Sequence, residues 1–319
     1  MTMSVLYDAP GPRTRRITWA TSAVATTAIL AAGWLLVIEP LRRQGQFTAA
    51  KWGPIIDPSD KFFPLLWNRL GQGLSATLEA AVLAMTASAL CGTGLALLLV
   101  QLKSLARRRY SGMSKPVTLG LRALTWLLTG VTRAMVEVFR GVPSVITIFF
   151  VGRGLPEFGV KFDDTLWYLV IGLTIYNSVV IAEILRSGME GLPPGQREAA
   201  ASLGLSASQT NRMILFPQAV RIMLPALISQ LVVVLKDTSL GFIISYEELL
   251  NVAKTATQVL SNPIQMYFLV GLIYLTVNYS LSRLAGYTQR RLARSRRAIP
   301  AVDVVPALPG AESRAGTGP

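Results

Sequence analysis

Long apolar runs, separated by short clusters of charged residues, constrain this chain more than any other feature of its sequence. Only 15% of its residues are charged, whereas soluble domains carry about 25%. The runs reach the roughly 20 residues that a helix needs to cross a bilayer. A segment inside lipid must satisfy its backbone hydrogen bonds internally, as a helix does. The sequence therefore predicts an all-α, polytopic membrane helix bundle.

The apolar runs predict six crossings. They lie at roughly 17–38, 73–100, 136–156, 165–185, 214–235 and 264–286. The first has the length of a full span and is not followed by a small-x-small cleavage pattern, so we expect a retained helix rather than a signal peptide. The apolar stretch that precedes the third crossing fits a helix along the cytoplasmic surface, and Pro143 breaks the helical ladder after it.

The distribution of basic residues predicts the orientation. With the N-terminus inside, the inside segments hold 22 of the 31 Lys and Arg residues and the outside segments hold nine. Positive charge collects on the cytoplasmic side of membrane proteins. We therefore expect both termini in the cytoplasm and interpret the net charge of +14 as orientation rather than nucleic-acid binding.

The crossings divide the chain into five segments. They are a cytoplasmic N-terminal segment (1–16), an extra transmembrane helix (17–38), an external linker (39–72), a main transmembrane domain (73–292) and a disordered cytoplasmic tail (293–319). Within the linker, 61–67 is expected to form an interfacial helix that lies flat at the membrane surface. Small residues recur every four positions in the second span and predict close helix packing: Ala80, Ala84, Ser88, Gly92 and Ala96.

The composition argues against catalysis by this chain. Histidine is absent, and the one cysteine, Cys91, lies inside an apolar run. The usual catalytic and metal-ligating sets are therefore missing. We predict a protein that is not an enzyme and that holds no metal or cofactor.

The segment between the fourth and fifth crossings carries the most informative local pattern. Pro193 and Pro194 end the fourth helix, a short helix-forming run follows, and Gly204 stops it. Ser206 and Gln209 have the spacing of a capping box, which predicts the start of a new helix. Three consecutive alanines, 199–201, leave a nearly bare helix face for a partner protein. From spacing alone, an ordinary loop containing a good helix former is an equal alternative.

This segment resembles the EAA loop of bacterial ABC importer permeases. Glu198-Ala199-Ala200, three residues, Gly204, nine residues and Ile214 to Pro217 follow the family pattern, with Phe216 in place of the usual leucine. Three further segments resemble the polar amino-acid permeases of the histidine/glutamine/glutamate type, which extends the similarity over about 70–292. They are EVFRGVP at 137–143, AEILRSG at 182–188 and LKDTSL at 235–240. The extra first helix and the tail are similar to the longer permease of actinobacterial glutamate importers.

The resemblance implies a five-helix type I ABC importer core with one extra N-terminal helix. The loop would couple the permease to an ATPase subunit dimer through Glu198, Ala199, Ala200, Leu203, Gly204 and Pro217. ATP would be bound by that separate subunit, since the chain has no G-x-x-x-x-G-K-[ST] sequence. The other implied partners are a second permease subunit, identical or similar, and an external substrate-binding protein. The expected cargo is a polar amino acid, glutamate-like or related, moved across a bacterial cell membrane.

Polar residues inside the spans are candidates for the translocation path, because they are costly in lipid unless they face a cavity or each other. They are Tyr176, Asn177, Ser178, Gln230, Lys236, Asp237 and Thr238. An interhelical hydrogen bond is an equal alternative for Asn177. A structural pair near the interface is the alternative for Lys236 and Asp237. Glu183 and Arg186 are expected to form a local helical pair.

Two other functions are compatible with a membrane helix bundle of this kind. A channel or an ion-coupled secondary transporter would work without an ATPase and usually shows internal repeats, of which none is convincing here. A membrane-embedded enzyme would need the catalytic sets that the sequence lacks.

Overall fold

The computed structural model describes residues 11–106 and 114–294, with side chains as far as residue 287, and these ranges are helical without strands. The helices are α1 (Pro12–Gly33), α2 (Glu39–Arg43), α3 (Ala49–Ile56), α4 (Phe63–Ala106), α5 (Lys115–Gly141), α6 (Ser144–Glu157), α7 (Thr165–Glu190), α8 (Gly195–Ser202), α9 (Ala207–Gln209), α10 (Phe216–Asp237), α11 (Leu249–Leu260) and α12 (Pro263–Arg294). Two π-helical segments, Trp34–Ile38 and Thr210–Leu215, and a 3-10 helix, Thr238–Ile244, join neighbouring helices.

Five helical stretches among the described residues are long and apolar enough to cross a membrane. They are Pro12–Arg43, Phe63–Ala106, Thr165–Glu190, Ala207–Ile244 and Pro263–Tyr287. The helices α5 and α6 form a bent pair, with an angle of 104° between them, that passes the same test together. The predicted all-α membrane bundle is confirmed, and the predicted six crossings result when the bent pair counts as one span.

The bend between α5 and α6 lies where the sequence predicted a break. Pro143 has no amide hydrogen to donate, so α5 ends at Gly141 and α6 begins at Ser144. Residues 136–141, at the start of the predicted third crossing, are the last turns of α5, so the break lies inside that crossing rather than before it.

Two other predicted boundaries differ from the structure. The first helical stretch covers Pro12–Arg43 rather than 17–38. The prediction of a separate, flat helix at 61–67 is wrong, because Phe63 to Trp67 form the first turns of α4. Proline is tolerated in the first turn of a helix, so Pro64 does not interrupt it. The linker instead contains α3. Residues 1–10 and 295–319, which include most of the predicted N-terminal segment and tail, lie outside the described residues.

Helix α7 lies at the centre of the bundle and packs against α4, α6 and α10. The small residues predicted to form a packing ridge on α4 are all buried: Ala80, Ala84, Ser88, Gly92 and Ala96. A Cβ atom added at Gly92 would lie 2.8 Å from the backbone oxygen of Ser178 on α7. The backbones of the two helices therefore approach each other as closely as the sequence predicted.

The linker packs onto the end of the bundle opposite α8. Ile55 of α3 is 3% exposed and belongs to one apolar cluster with Leu66 and Leu70 of α4 and Met266 of α12. The side chain of Trp67 donates a hydrogen bond to the backbone oxygen of Ile55 over 3.0 Å. The linker is thus part of the packed structure rather than a free connection.

Candidate coupling loop and transport path

The loop between α7 and α10 has the local structure that its sequence predicted. Gly204 follows α8 with a φ of +76°, a conformation that side chains rarely adopt, so the predicted stop is confirmed. The predicted capping box is also confirmed. The amide of Gln209 donates to Oγ of Ser206, and the amide of Ser206 donates to Oε1 of Gln209 over 2.9 Å.

One face of α8 is exposed. It carries Glu198, Ala199 and Leu203, and Leu203 is 79% exposed although it is apolar. Ala200 is 3% exposed and packs inward, so the expectation that all three alanines share one free face is wrong for Ala200. Successive helical residues point about 100° apart, which turns Ala200 toward the bundle when Ala199 points away. A partner protein would meet Ala199 and Leu203.

Hydrogen bonds attach α8 to the two spans on either side of it. The amide of Leu205 donates to the oxygen of Ala200 over 3.1 Å, which closes the loop behind the helix. Nε2 of Gln218 on α10 donates to Oε1 of Gln196 over 3.2 Å. The guanidinium of Arg197 donates to the backbone oxygen of Met189 on α7 over 3.4 Å.

A cluster of ion pairs lies at the base of the loop. Nζ of Lys103, near the end of α4, is 2.9 Å from a carboxylate oxygen of Glu190, the last residue of α7. Arg186 pairs with Glu190 over 3.0 Å and with Glu183 over 2.7 Å. The local pair predicted between Glu183 and Arg186 is therefore confirmed. The cluster joins the ends of α4 and α7 directly below α8.

The other end of the loop contacts α4 as well. Asn211 is buried in the π-helical segment before α10, and its amide donates to Oε1 of Gln101 over 3.4 Å. Pro217 is exposed in the first turn of α10, where its missing amide hydrogen costs little. The loop thus has direct contacts with α4, α7 and α10.

The structure places Asn177, the leading path candidate, inside the subunit. Asn177 is 0% exposed, and its Nδ2 donates to the oxygen of Leu173 over 2.9 Å. Nε2 of Gln230 on α10 donates to Oδ1 of Asn177 over 2.7 Å. The alternative foreseen for Asn177, an interhelical hydrogen bond, is what this conformation shows. Gln230 is half-buried and reaches the edge of this contact.

Most of the other path candidates also have partners within the subunit. Ser178 is buried and donates to the oxygen of Ile175, and Thr238 is fully buried and donates to the oxygen of Leu235. Asp237 is half-buried and accepts a hydrogen bond from Ser144 at the start of α6. Tyr176 is half-buried. The expected structural pair of Lys236 with Asp237 is not among the ion pairs of the described residues.

Lys236 is the path candidate that is exposed to open space. It borders a groove of about 660 Å³ between α10 and α12. Sequence reasoning missed the polar residues that share this groove: Ser239, Tyr267, Tyr274, Asn278, Tyr279 and Ser282. The spacing of those on α12, by three and four residues, places hydroxyl and amide groups on one side of an apolar helix. This spacing could have identified them from the sequence.

A multi-span helical bundle with an exposed loop helix, attached by hydrogen bonds to two of its spans, has the architecture of a membrane transport subunit. A sequence model of the family described as "Binding-protein-dependent transport system inner membrane component" matches residues 117–294, more than half of the chain. The chain belongs to this family. It is an inner-membrane, multi-pass permease subunit of an ABC importer for polar amino acids, and it is not itself catalytic.

Individual relatives agree with this assignment. The chain is 36% identical over 271 residues to the glutamate transport system permease protein GluD of Corynebacterium glutamicum, which covers 84% of this chain and 89% of GluD. It is 39% identical over 159 residues to the probable glutamine ABC transporter permease protein GlnP of Bacillus subtilis, covering 49% and 72% of the two chains. Among solved structures, an amino acid ABC transporter with histidines matches with a TM-score of 0.57 and 27% identity, over 73% of this chain and 99% of that chain.

Proposed function

We propose that α8 is the coupling helix through which separate ATPase subunits drive alternating access in this permease. The observation that carries the proposal is the position of α8. Its exposed face is free for a partner, its own side chains bond to α7 and α10, and the segment that follows it bonds to α4 through Asn211. Closure of an ATPase dimer on α8 would move α4, α7 and α10 together. That motion would open a midplane site to one side of the membrane and then to the other.

The assembly that this mechanism requires has four further parts. Two ATPase subunits bind the ATP, a second permease of identical or similar sequence completes the pore, and an external binding protein delivers the substrate. The description of the family as binding-protein-dependent supports the last of these. The excess of basic residues in the inside segments supports an arrangement with both termini in the cytoplasm.

The proposed cargo is a glutamate-like amino acid. Support comes from GluD, a relative named for glutamate transport that aligns with most of this chain. A second relative, the glutamate/aspartate import permease protein GltK of Escherichia coli O157:H7, is 29% identical over 229 residues. A channel or an ion-coupled transporter would carry the same cargo without ATP, so ATP dependence distinguishes the two mechanisms.

The test of coupling uses two glycines with the same backbone conformation. Gly204 and Gly159 have φ values of +76° and +84°, and nothing lies within 4 Å of a Cβ atom at either position. Leucine at each position therefore introduces similar strain, of order 1–3 kcal/mol. In cells that contain the complete transporter, we expect Gly204→Leu to abolish ATP-dependent glutamate uptake and Gly159→Leu to retain most of it.

Membrane insertion of both variants is checked by the amount of protein in the membrane fraction. Normal ATP-dependent uptake by Gly204→Leu would contradict the coupling role of the loop. Equal losses in both variants would show that backbone strain, rather than the position of α8, is responsible. Uptake that is not reduced by excess unlabelled glutamate would contradict the proposed cargo while leaving the coupling test intact.

A further inference from the structure

Helix α5 presents three different faces along its 27 residues. The face toward α4 and α7 carries Leu121, Thr125, Thr129, Thr132, Val136 and Phe139, which are buried or half-buried. A second face is apolar and exposed, with Leu124, Leu128, Val131, Met135 and Val138. The third face carries Lys115, Arg122, Trp126, Arg133, Glu137 and Arg140, all of them exposed. We call this third face the basic face of α5.

The four cations of the basic face have no ionic partner among the described side chains of 11–106 and 114–287. No ion pair there includes Lys115, Arg122, Arg133 or Arg140. Arg133 does border a cavity of about 310 Å³ that also holds acidic groups of α7. Those acids already pair with other cations, because Glu183 binds Arg186, and Glu190 binds both Arg186 and Lys103.

The middle of α5 lies near the base of the loop that carries α8. Helix α6 packs against α7, α5 meets α6 at 104°, and Val136 of α5 packs against Leu99 of α4 and Val179 of α7. Thr129 and Arg133 border the same cavity as Lys103 and Glu190, which lie at the base of the coupling loop. Arg133, in the middle of the basic face, is therefore at the end of the bundle that carries α8.

We propose that the basic face of α5 binds the phosphate-bearing headgroups of anionic bilayer lipids, while the apolar face lies in the acyl region below them. A helix with an apolar face and a separate face rich in Lys and Arg settles in the interfacial layer of a membrane. The charges are complementary, with four exposed cations and one acid, Glu137, on a helix that lies next to the headgroups. Trp126, which is 78% exposed on the basic face, lies among the headgroups as interfacial tryptophans do.

The experiment measures which lipid surrounds Trp126 in the full-length chain. The protein is reconstituted in phosphatidylcholine vesicles that contain a minority of phosphatidylglycerol, with bromine on the acyl chains of either the anionic or the neutral lipid. The fluorescence of Trp126 is obtained by subtracting the signal of a Trp126→Phe chain. We expect brominated phosphatidylglycerol to quench Trp126 more than its share of the bilayer predicts, and the excess to shrink at high salt.

Variants with fewer cations provide the direct comparison. Each neutralised cation near the surface weakens association with anionic lipid roughly fivefold. We therefore expect the excess quenching to fall in Arg122→Gln and to disappear in the triple variant Arg122→Gln, Arg133→Gln, Arg140→Gln. The control replaces three exposed cations elsewhere by glutamine, at Arg42, Arg153 and Lys161, and should quench as the unmodified chain does.

Two results would overturn the proposal. One is quenching of Trp126 by the two brominated lipids in proportion to their amounts. The other is an excess that survives unchanged in the single and triple variants. Since Arg122 is exposed and is in no ion pair of the described residues, its single variant keeps the test valid if the triple variant does not fold.

Discussion

At the scale of single residues, burial decided between two roles that polarity alone left open. An asparagine in an apolar span is costly unless its amide has partners, and either a cavity or another helix can supply them. Asn177 uses Leu173 of its own helix and Gln230 of α10, and it is fully buried. In this conformation its contribution is to hold α7 against α10.

A double-mutant cycle tests this role of Asn177. We expect Asn177→Ala and Gln230→Ala each to lower the free energy of unfolding, with a coupling energy of about 0.6 kcal/mol and at most about 1.7 kcal/mol, as for other hydrogen bonds between membrane helices. Thermal unfolding in detergent measures stability, and uptake assays measure substrate affinity. Ser229→Ala is the control, because that exposed hydroxyl bonds only to its own helix at Pro225.

A change in substrate affinity without any coupling energy between Asn177 and Gln230 would indicate that Asn177 lies on the translocation path. Such a result would mean that the contact opens in another conformation of the transporter.

At the scale of elements, the contact between α4 and α7 determines the shape of the bundle. The small residues of α4 allow the two helix backbones to approach, and in a membrane this packing replaces the hydrophobic driving force that helices have in water. Gly92 lies at a close contact, against Ile181 and the backbone of Ser178. Two residues later, Gly94 lies on the opposite side of α4 and faces open space.

The two glycines of α4 should respond in opposite directions to the same substitution. Gly94→Ala should leave the unfolding temperature unchanged or raise it, since alanine is the better helix former by up to about 1 kcal/mol. Gly92→Ala should destabilise by about 1–3 kcal/mol, because its Cβ would overlap Ile181 and a backbone oxygen that cannot move aside. Thermal unfolding of the purified chain measures both, and equal effects would refute this account of the packing.

At the scale of the whole molecule, the N-terminal segment has two parts with different relations to the bundle. The first helical stretch, Pro12–Arg43, has no buried residue in its apolar window. The linker that follows is bonded to the bundle. The side chain of Lys51 contacts the backbone oxygen of Ser261, Asn262 donates to the oxygen of Lys51 over 3.0 Å, and Gln265 donates to Gln46.

Two nested deletions separate these parts. Removal of residues 2–40 should leave the unfolding temperature of the bundle close to that of the full chain, because the described part of this stretch, 11–40, has no buried residue. Removal of residues 2–57 should lower it clearly. That deletion also removes the side chain of Ile55, whose burial contributes about 1.5–3 kcal/mol to stability. It also leaves the buried side-chain amides of Asn262 and Gln265 without these hydrogen-bond partners.

Differential scanning calorimetry in one detergent compares the two truncated chains, which both lack the first crossing. Equal unfolding temperatures would show that the linker contributes nothing to stability.

Local sequence signals predicted the elements well. The length of the apolar runs predicted the six spans, Pro143 predicted the bend, and Gly204 with Ser206 and Gln209 predicted the local structure of the loop between α7 and α10. These signals act over a few residues, through backbone conformation and hydrogen bonds to the nearest amides. The prediction failed where a helix lacked such a signal, as at 61–67, which continues into α4 without interruption.

The sequence by itself determined the class of protein, its spans and the local structure of the loop between α7 and α10, because apolar length, glycine, proline and capping residues act locally. The tertiary structure decided which side of each helix faces a neighbour. It turned Ala200 inward, buried Asn177 against Gln230 and left Lys236 open to a groove. Hydropathy cannot make that distinction, since lipid and the interior of a membrane protein are equally apolar. Only the arrangement of the helices separates a residue that lines a path from one that holds two spans together.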